Sequence, residues 1–70
     1  MATVTKKLGQ KVRKIRKKMG ITQEELAARA RIDYSYLNMI ENGKRNPTLS
    51  IIAKIARALG IRLEELTTFK

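Results

Sequence analysis

The chain has no cysteine, no histidine and no tryptophan, a single proline and only three aromatic residues. Without cysteine it can build no disulfide framework, no zinc–thiolate site and no thiol redox centre. Without histidine as well, the usual nucleophile–base pairs and imidazole general bases are out of reach. Acidic groups are scarce, six Asp and Glu against sixteen Lys and Arg. Four of the six form the adjacent pairs Glu24/Glu25 and Glu64/Glu65, and neighbours on a helix diverge by roughly 100°. Neither pair makes a shared-proton dyad or a glycosidase pair. No G-x-x-x-x-G-K phosphate loop occurs. These absences exclude an enzyme and leave no cofactor, metal or small-molecule ligand to expect. No apolar run approaches the ~20 residues of a membrane span, and the N-terminus lacks the apolar core of a signal peptide. The expected location is the cytoplasm, with no membrane partner.

What the chain has is positive charge, +10 over 70 residues. Such an imbalance costs self-repulsion in the folded state and suits a polyanionic partner. Nucleic acid is the first candidate and an anionic membrane surface the second. Seventy residues make one domain, and a core of that size rarely supplies more than about 3–5 kcal/mol, so stability shared with a second subunit is expected. Half of the cations lie between Lys6 and Lys18, where eight of thirteen positions are Lys or Arg. Within that run Leu8, Val12, Ile15 and Met19 recur at helical spacing, which predicts a first helix closed by Gly20 and preceded by a flexible lead over residues 1–5. Interfacial helices commit bulky Trp, Phe and Leu to lipid; this stripe is too thin for that.

The stretch from Thr22 to Gly43 predicts two short helices joined by a tight turn. Thr22 with Glu25 three residues on is a capping-box signature, followed by the apolar stripe Leu26, Ala27 and Ala30. Asp33 is a strong N-cap for the next helix, and Asn42-Gly43 stops it. On a helical wheel Leu37 and Ile40 point to the core, with Glu41 on its shoulder. The opposite side carries Ser35, Asn38, Met39 and Asn42, flanked by Tyr34 and Tyr36. Short hydrogen-bonding groups, a thioether and phenols suit contact with a polar, grooved surface. The loop from Asn42 to Pro47 offers backbone amides and the cations Lys44 and Arg45 together, as a phosphate oxygen requires. Thr48 then caps a fourth helix with Ile52, Ile55, Ala56 and Leu59 as its stripe, widened by Leu49 and Ile51 and ended by Gly60. A last helix over 63–69 places Leu63, Leu66 and Phe69 on one side. They either cap the domain's own core or, as Phe69 with Ile61 or Leu66, face a second subunit.

Thr22-Gln23-x-x-Leu26-Ala27, the turn, and Ile40-Glu41-Asn42-Gly43-Lys44-Arg45-Asn46-Pro47 resemble the helix-turn-helix of the phage-repressor/Cro family. The resemblance runs from about Leu8 to Leu66. In length and layout the chain is most similar to the small controller proteins of restriction-modification systems. It implies an all-α, five-helix lambda-repressor-like fold and sequence-specific binding to duplex DNA by a small homodimeric transcription regulator acting on a near-palindromic operator. It implies that the helix over 34–42 enters the major groove, with Tyr34, Ser35, Asn38 and Met39 at base edges. Gln23, Tyr36, Asn42, Lys44 and Arg45 would hold phosphates. It also implies a structural pair between Arg16 and Glu41, and a dimer contact near Ile61, Leu66 and Phe69. Two positions depart from the family pattern. Arg31 stands where glycine is common in the turn, which implies left-handed strain of about 1 kcal/mol or a different turn. Arg62 stands where an N-cap is usual, which implies a ragged start to the last helix. The competing readings are an antitoxin-like protein that binds both DNA and a toxin partner, and a protein-interaction module that has lost DNA binding.

Overall fold

Four threonine and aspartate caps set the helix starts in the computed structural model, which describes residues 3–69. Thr3 accepts from the Lys6 amide and opens α1, Val4–Lys18. The helix therefore begins two residues before the cationic run, and Thr3 to Thr5 belong to it and its cap; Met1 and Ala2 lie outside the described residues. Thr22 and Glu25 form the reciprocal capping box of α2, Gln23–Ala30, with both bonds at 3.0 Å. Asp33 accepts from the amides of Ser35 and Tyr36 to start α3, Tyr34–Glu41. Thr48 accepts from Ile51 to start α4, Leu49–Leu59. The start of α5, Leu63–Thr67, has half of this arrangement. Glu65 accepts from the Arg62 amide at 2.8 Å, but a guanidinium has no acceptor to return the bond.

The helix ends share one device. After α1, α2, α3 and α4 the chain turns into the left-handed region and closes the paired 6→1 and 5→2 bonds of a Schellman motif. At α3 these run from Lys44 to the Met39 carbonyl at 2.9 Å and from Gly43 to Ile40 at 3.0 Å. Glycine occupies the left-handed position at residues 20, 43 and 60, whereas α2 uses Arg31 at φ 57° and ψ 45°. Of the two alternatives for this turn the left-handed one is present, at a cost of roughly 1–2 kcal/mol for a side chain in that conformation.

The core is the meeting place of all five helices: Leu8 and Val12 from α1, Leu26, Ala27 and Ala30 from α2, Leu37 and Ile40 from α3, Ile55, Ala56 and Leu59 from α4, and Leu66 from α5. Helix α1 packs along α3, and α2 along both α3 and α4. Two expected core members are placed differently. Met19 caps α1 and is 43% exposed, and Leu49 is 64% exposed, because each lies at the outer end of its stripe where no helix crosses it. Leu66 is completely enclosed by its own chain, which withdraws it from any surface open to a second subunit. Helix α5 is also shorter than expected. Thr68 is extended, so Phe69 lies beyond the helix, where the Lys11 ammonium sits 5.8 Å from its ring and donates to the Thr68 carbonyl at 2.7 Å.

Hydrogen bonds from the Ser35 side chain and the Tyr36 and Ser35 amides hold the Asp33 carboxyl below its ordinary range. The Thr22 amide does the same for Glu25. A depressed folded-state pKa contributes stability above the unfolded value that is lost as pH falls through the folded one. The melting temperature should therefore decline below about pH 4.5, the ordinary glutamate value. Asp33→Asn, which can cap without titrating, should flatten that decline in thermal melts from pH 6 to pH 2, while an unchanged acid limb would remove Asp33 from it.

Candidate nucleic-acid interface

The outward side of α3 is held in place by a chain of polar side chains that begins in the interior. Arg16, at the end of α1, grips Glu41, at the end of α3, with Nε to Oε2 at 2.8 Å and Nη2 to Oε1 at 3.0 Å. Its Nη1 donates to the Ile21 carbonyl at 2.9 Å. One guanidinium thereby joins α1, the α1–α2 link and α3. The pair is nearly dry, with side-chain exposures of 10% and 0%, and no buried polar side-chain atom among the described residues lacks a hydrogen-bond partner. The hydrogen bond to Glu41 is the main cause that raises the Arg16 pKa above the ordinary arginine value.

From Glu41 the chain continues outward. Gln23 Nε2 donates to Glu41 Oε1 at 3.0 Å, Asn38 Nδ2 donates to Gln23 Oε1 at 3.1 Å, and Asn42 Nδ2 donates to Asn38 Oδ1 at 3.1 Å. A dry ion pair thus fixes the first residue of α2, which fixes the middle of α3, which aligns the cap of α3. Bonds between ionised and neutral groups are the stronger members of such a chain. Asn38 is not saturated by these contacts. A primary amide has two donor hydrogens and two acceptor lone pairs, so one of each remains for an outside partner.

The other site residues divide into two groups. Tyr34, 45% exposed, and Ser35 stand at the first turn of α3; the Ser35 hydroxyl donates to the Asp33 carboxylate, so its lone pairs are what it offers outward. Met39 is half-buried. Tyr36 is half-buried against the core. Lys44 and Arg45 are exposed in the loop after α3 and do not join the amide chain. Sequence reasoning named Gln23, Asn38 and Asn42 separately but missed that they are linked. It also missed that Lys6, Gln10 and Arg13 of α1 line the grooves beside Asn42. Their i, i+4, i+7 spacing was the available signal.

The electrostatics follow from where the acids are placed. Asp33 is a helix cap, Glu24, Glu25, Glu64 and Glu65 occupy first turns of helices, where carboxylates complement the dipole, and Glu41 is consumed by Arg16. All six acids thus sit at helix ends or in the clasp, and the exposed side of α3 beyond its Asp33 cap, with its adjoining loop, carries no acid, although Glu24 borders the groove that contains Gln23, Asn38 and Asn42. Among the described residues no cluster of His, Cys, Asp or Glu is suited to a metal ion, and no helix is long and apolar enough to cross a membrane.

Comparison with known proteins agrees with this geometry. The helix-turn-helix family profile matches residues 12–66. The control protein C.MunI of a Mycoplasma species is 46% identical over 61 residues, covering 86% of this chain and 82% of its own. The control protein C.BamHI of Bacillus amyloliquefaciens is 44% identical over 62 residues, covering 87% and 76%. The crystal structure of the restriction-modification controller protein C.AhdI from Aeromonas hydrophila superposes with a TM-score of 0.87 at 42% identity, covering 89% of this chain and 94% of that one. With a buried Arg16–Glu41 clasp holding α3 and this match over most of its length, the chain belongs to the helix-turn-helix family of sequence-specific, double-stranded-DNA-binding regulators of the Cro and controller type.

Proposed function

We propose that the protein is a homodimeric transcription regulator that reads a near-palindromic operator. Helix α3 lies in the major groove with its first turns at base edges, while α2 crosses the backbone. Tyr34, Ser35, Asn38 and Met39 read bases, and Gln23, Tyr36, Asn42, Lys44 and Arg45 hold phosphates. The observation that carries the reading is the chain Glu41–Gln23–Asn38–Asn42. It presents Asn38 with one donor and one acceptor still open, the pair that adenine N6 and N7 require. Met39 and the Tyr34 ring supply apolar surface for a thymine methyl. Two subunits related by a twofold axis place their recognition helices one DNA turn apart, roughly 34–36 Å. Ile61 and Phe69, half-buried at the α5 end as Leu63 also is, have apolar surface still to cover.

Asn38→Ala should relax preference at one base position in each half-site, by about 1–3 kcal/mol of discrimination. Lys44→Ala should weaken every duplex alike and reduce the salt slope of log K by about 1. Titrations on a selected duplex and a scrambled one separate the two effects. Identical behaviour of both variants on both duplexes would overturn the assignment of readers and anchors.

A further inference from the structure

The cations of α1 fall into two stripes with different surroundings. Lys6, Gln10 and Arg13, at i, i+4 and i+7, line the groove against Glu41 and Asn42, and Arg13 also borders the groove that contains Gln23 and Asn38. Lys7, Lys11 and Lys14, at the same spacing but turned by roughly 100°, line an adjoining groove against Thr68 and Phe69, which Gln10 also borders. Lys6 is placed by packing as well as by charge. A Cβ at Gly43 would come within 2.7 Å of Lys6 Cγ, so the lysine stem lies against the bare backbone of the loop that carries Lys44 and Arg45. Gly43 is needed twice, for its positive φ of 71° and for this close approach. Within 4.0 Å, the ion pair among the described residues is Arg16–Glu41, which leaves Lys6 and Arg13 without an acidic partner.

We propose that Lys6, Gln10 and Arg13 form a second anchoring edge for the same duplex, binding phosphates of the strand that flanks α3 and continuing the Lys44–Arg45 loop along α1. The stripe at Lys7, Lys11 and Lys14 takes no part, because it is turned about 100° around α1 toward the C-terminal segment, where Lys11 donates to the Thr68 carbonyl. This inference rests on the reading of α3 as the major-groove helix.

The test compares two variants that remove equal charge, Lys6→Met with Arg13→Gln and Lys7→Met with Lys14→Gln, on a selected duplex over a salt series. Thermal melts first establish that both are folded. The first variant should lower the slope of log K against log salt by about 2, one for each phosphate no longer neutralised. The second should leave the slope near that of the unmodified chain. If the first double variant unfolds, Arg13→Gln alone should lower the slope by about 1, and Arg13→Lys should restore it. Equal reductions from both stripes, or a larger one from the second, would overturn the inference while leaving α3 in place. No salt-dependent binding to any duplex by the unmodified protein would overturn the reading beneath it.

Discussion

Glu41→Ala should lower the melting temperature by on the order of 15–25 °C, far more than any exposed acidic substitution. The reason is asymmetric. A buried ion pair need not outperform two well-packed apolar side chains, but removing one partner leaves the other charged, dry and unpaired, at about 3–5 kcal/mol. In a domain of this size each kcal/mol moves the midpoint by about 4–8 °C. Arg16 cannot escape by deprotonating, since a guanidinium stays charged, and its remaining bond to the Ile21 carbonyl does not neutralise it. Glu41→Ala also removes the acceptor that holds Gln23, so base discrimination should fall along with stability. Glu64→Ala, at an exposed first-turn position, is the control and should change the midpoint by a few degrees at most. Thermal melts of both variants decide it: equal midpoints would show that the pair neither holds the fold nor orients α3.

Gly9→Ala should also destabilise, by about 10 °C, although alanine favours a helix over glycine by about 1 kcal/mol. A Cβ at residue 9 would overlap the Ile40 carbonyl oxygen and sit 2.9 Å from that of Glu41. The obstructing atoms are backbone at the end of α3, not a side chain that can swing away, so α1 and α3 must separate. Overpacking typically costs about 1–3 kcal/mol, and here it falls next to the Arg16–Glu41 clasp, whose short bonds the separation would stretch. The two substitutions should therefore be less than additive, since each spoils the same contact. A double-mutant cycle in thermal or denaturant unfolding checks this. Additive losses, or a Gly9→Ala variant as stable as the unmodified chain, would show that α1 and α3 tolerate a looser approach.

Gly9 also shows where sequence reading stops. A glycine in the middle of a helix reads as a propensity defect until the crossing of α3 is known, and that crossing depends on tertiary packing. Local signals were legible. Thr22 with Glu25, Asp33 and Thr48 announce helix starts, and glycine at 20, 43 and 60 announces ends, because caps act within a few residues. The turn at Arg31 was legible as a strained position, and the structure places Arg31 in the left-handed region. Burial at stripe ends was not legible. Met19 and Leu49 continue their helical spacing, yet no neighbour covers them. Leu66 and Phe69 share a spacing but part company because α5 ends at Thr67, sending one side chain into the core and the other toward Lys11. The amide chain at the site was hidden for the same reason. Gln23 and Asn38 are 15 residues apart, and only the packing of α2 on α3 brings them together.

The lack of cysteine permits a direct measurement of whether the outward side of α3 meets bases in the major groove. A photocrosslinker attached through Ser35→Cys should react with bases, and from the major-groove side, on a duplex selected for tight binding. It should react weakly on a scrambled duplex. The same reagent attached through Glu65→Cys, on the exposed start of α5, should give little reaction with either. Crosslinking from residue 65 that equals or exceeds that from residue 35, or reaction from residue 35 confined to the minor groove, would contradict the account.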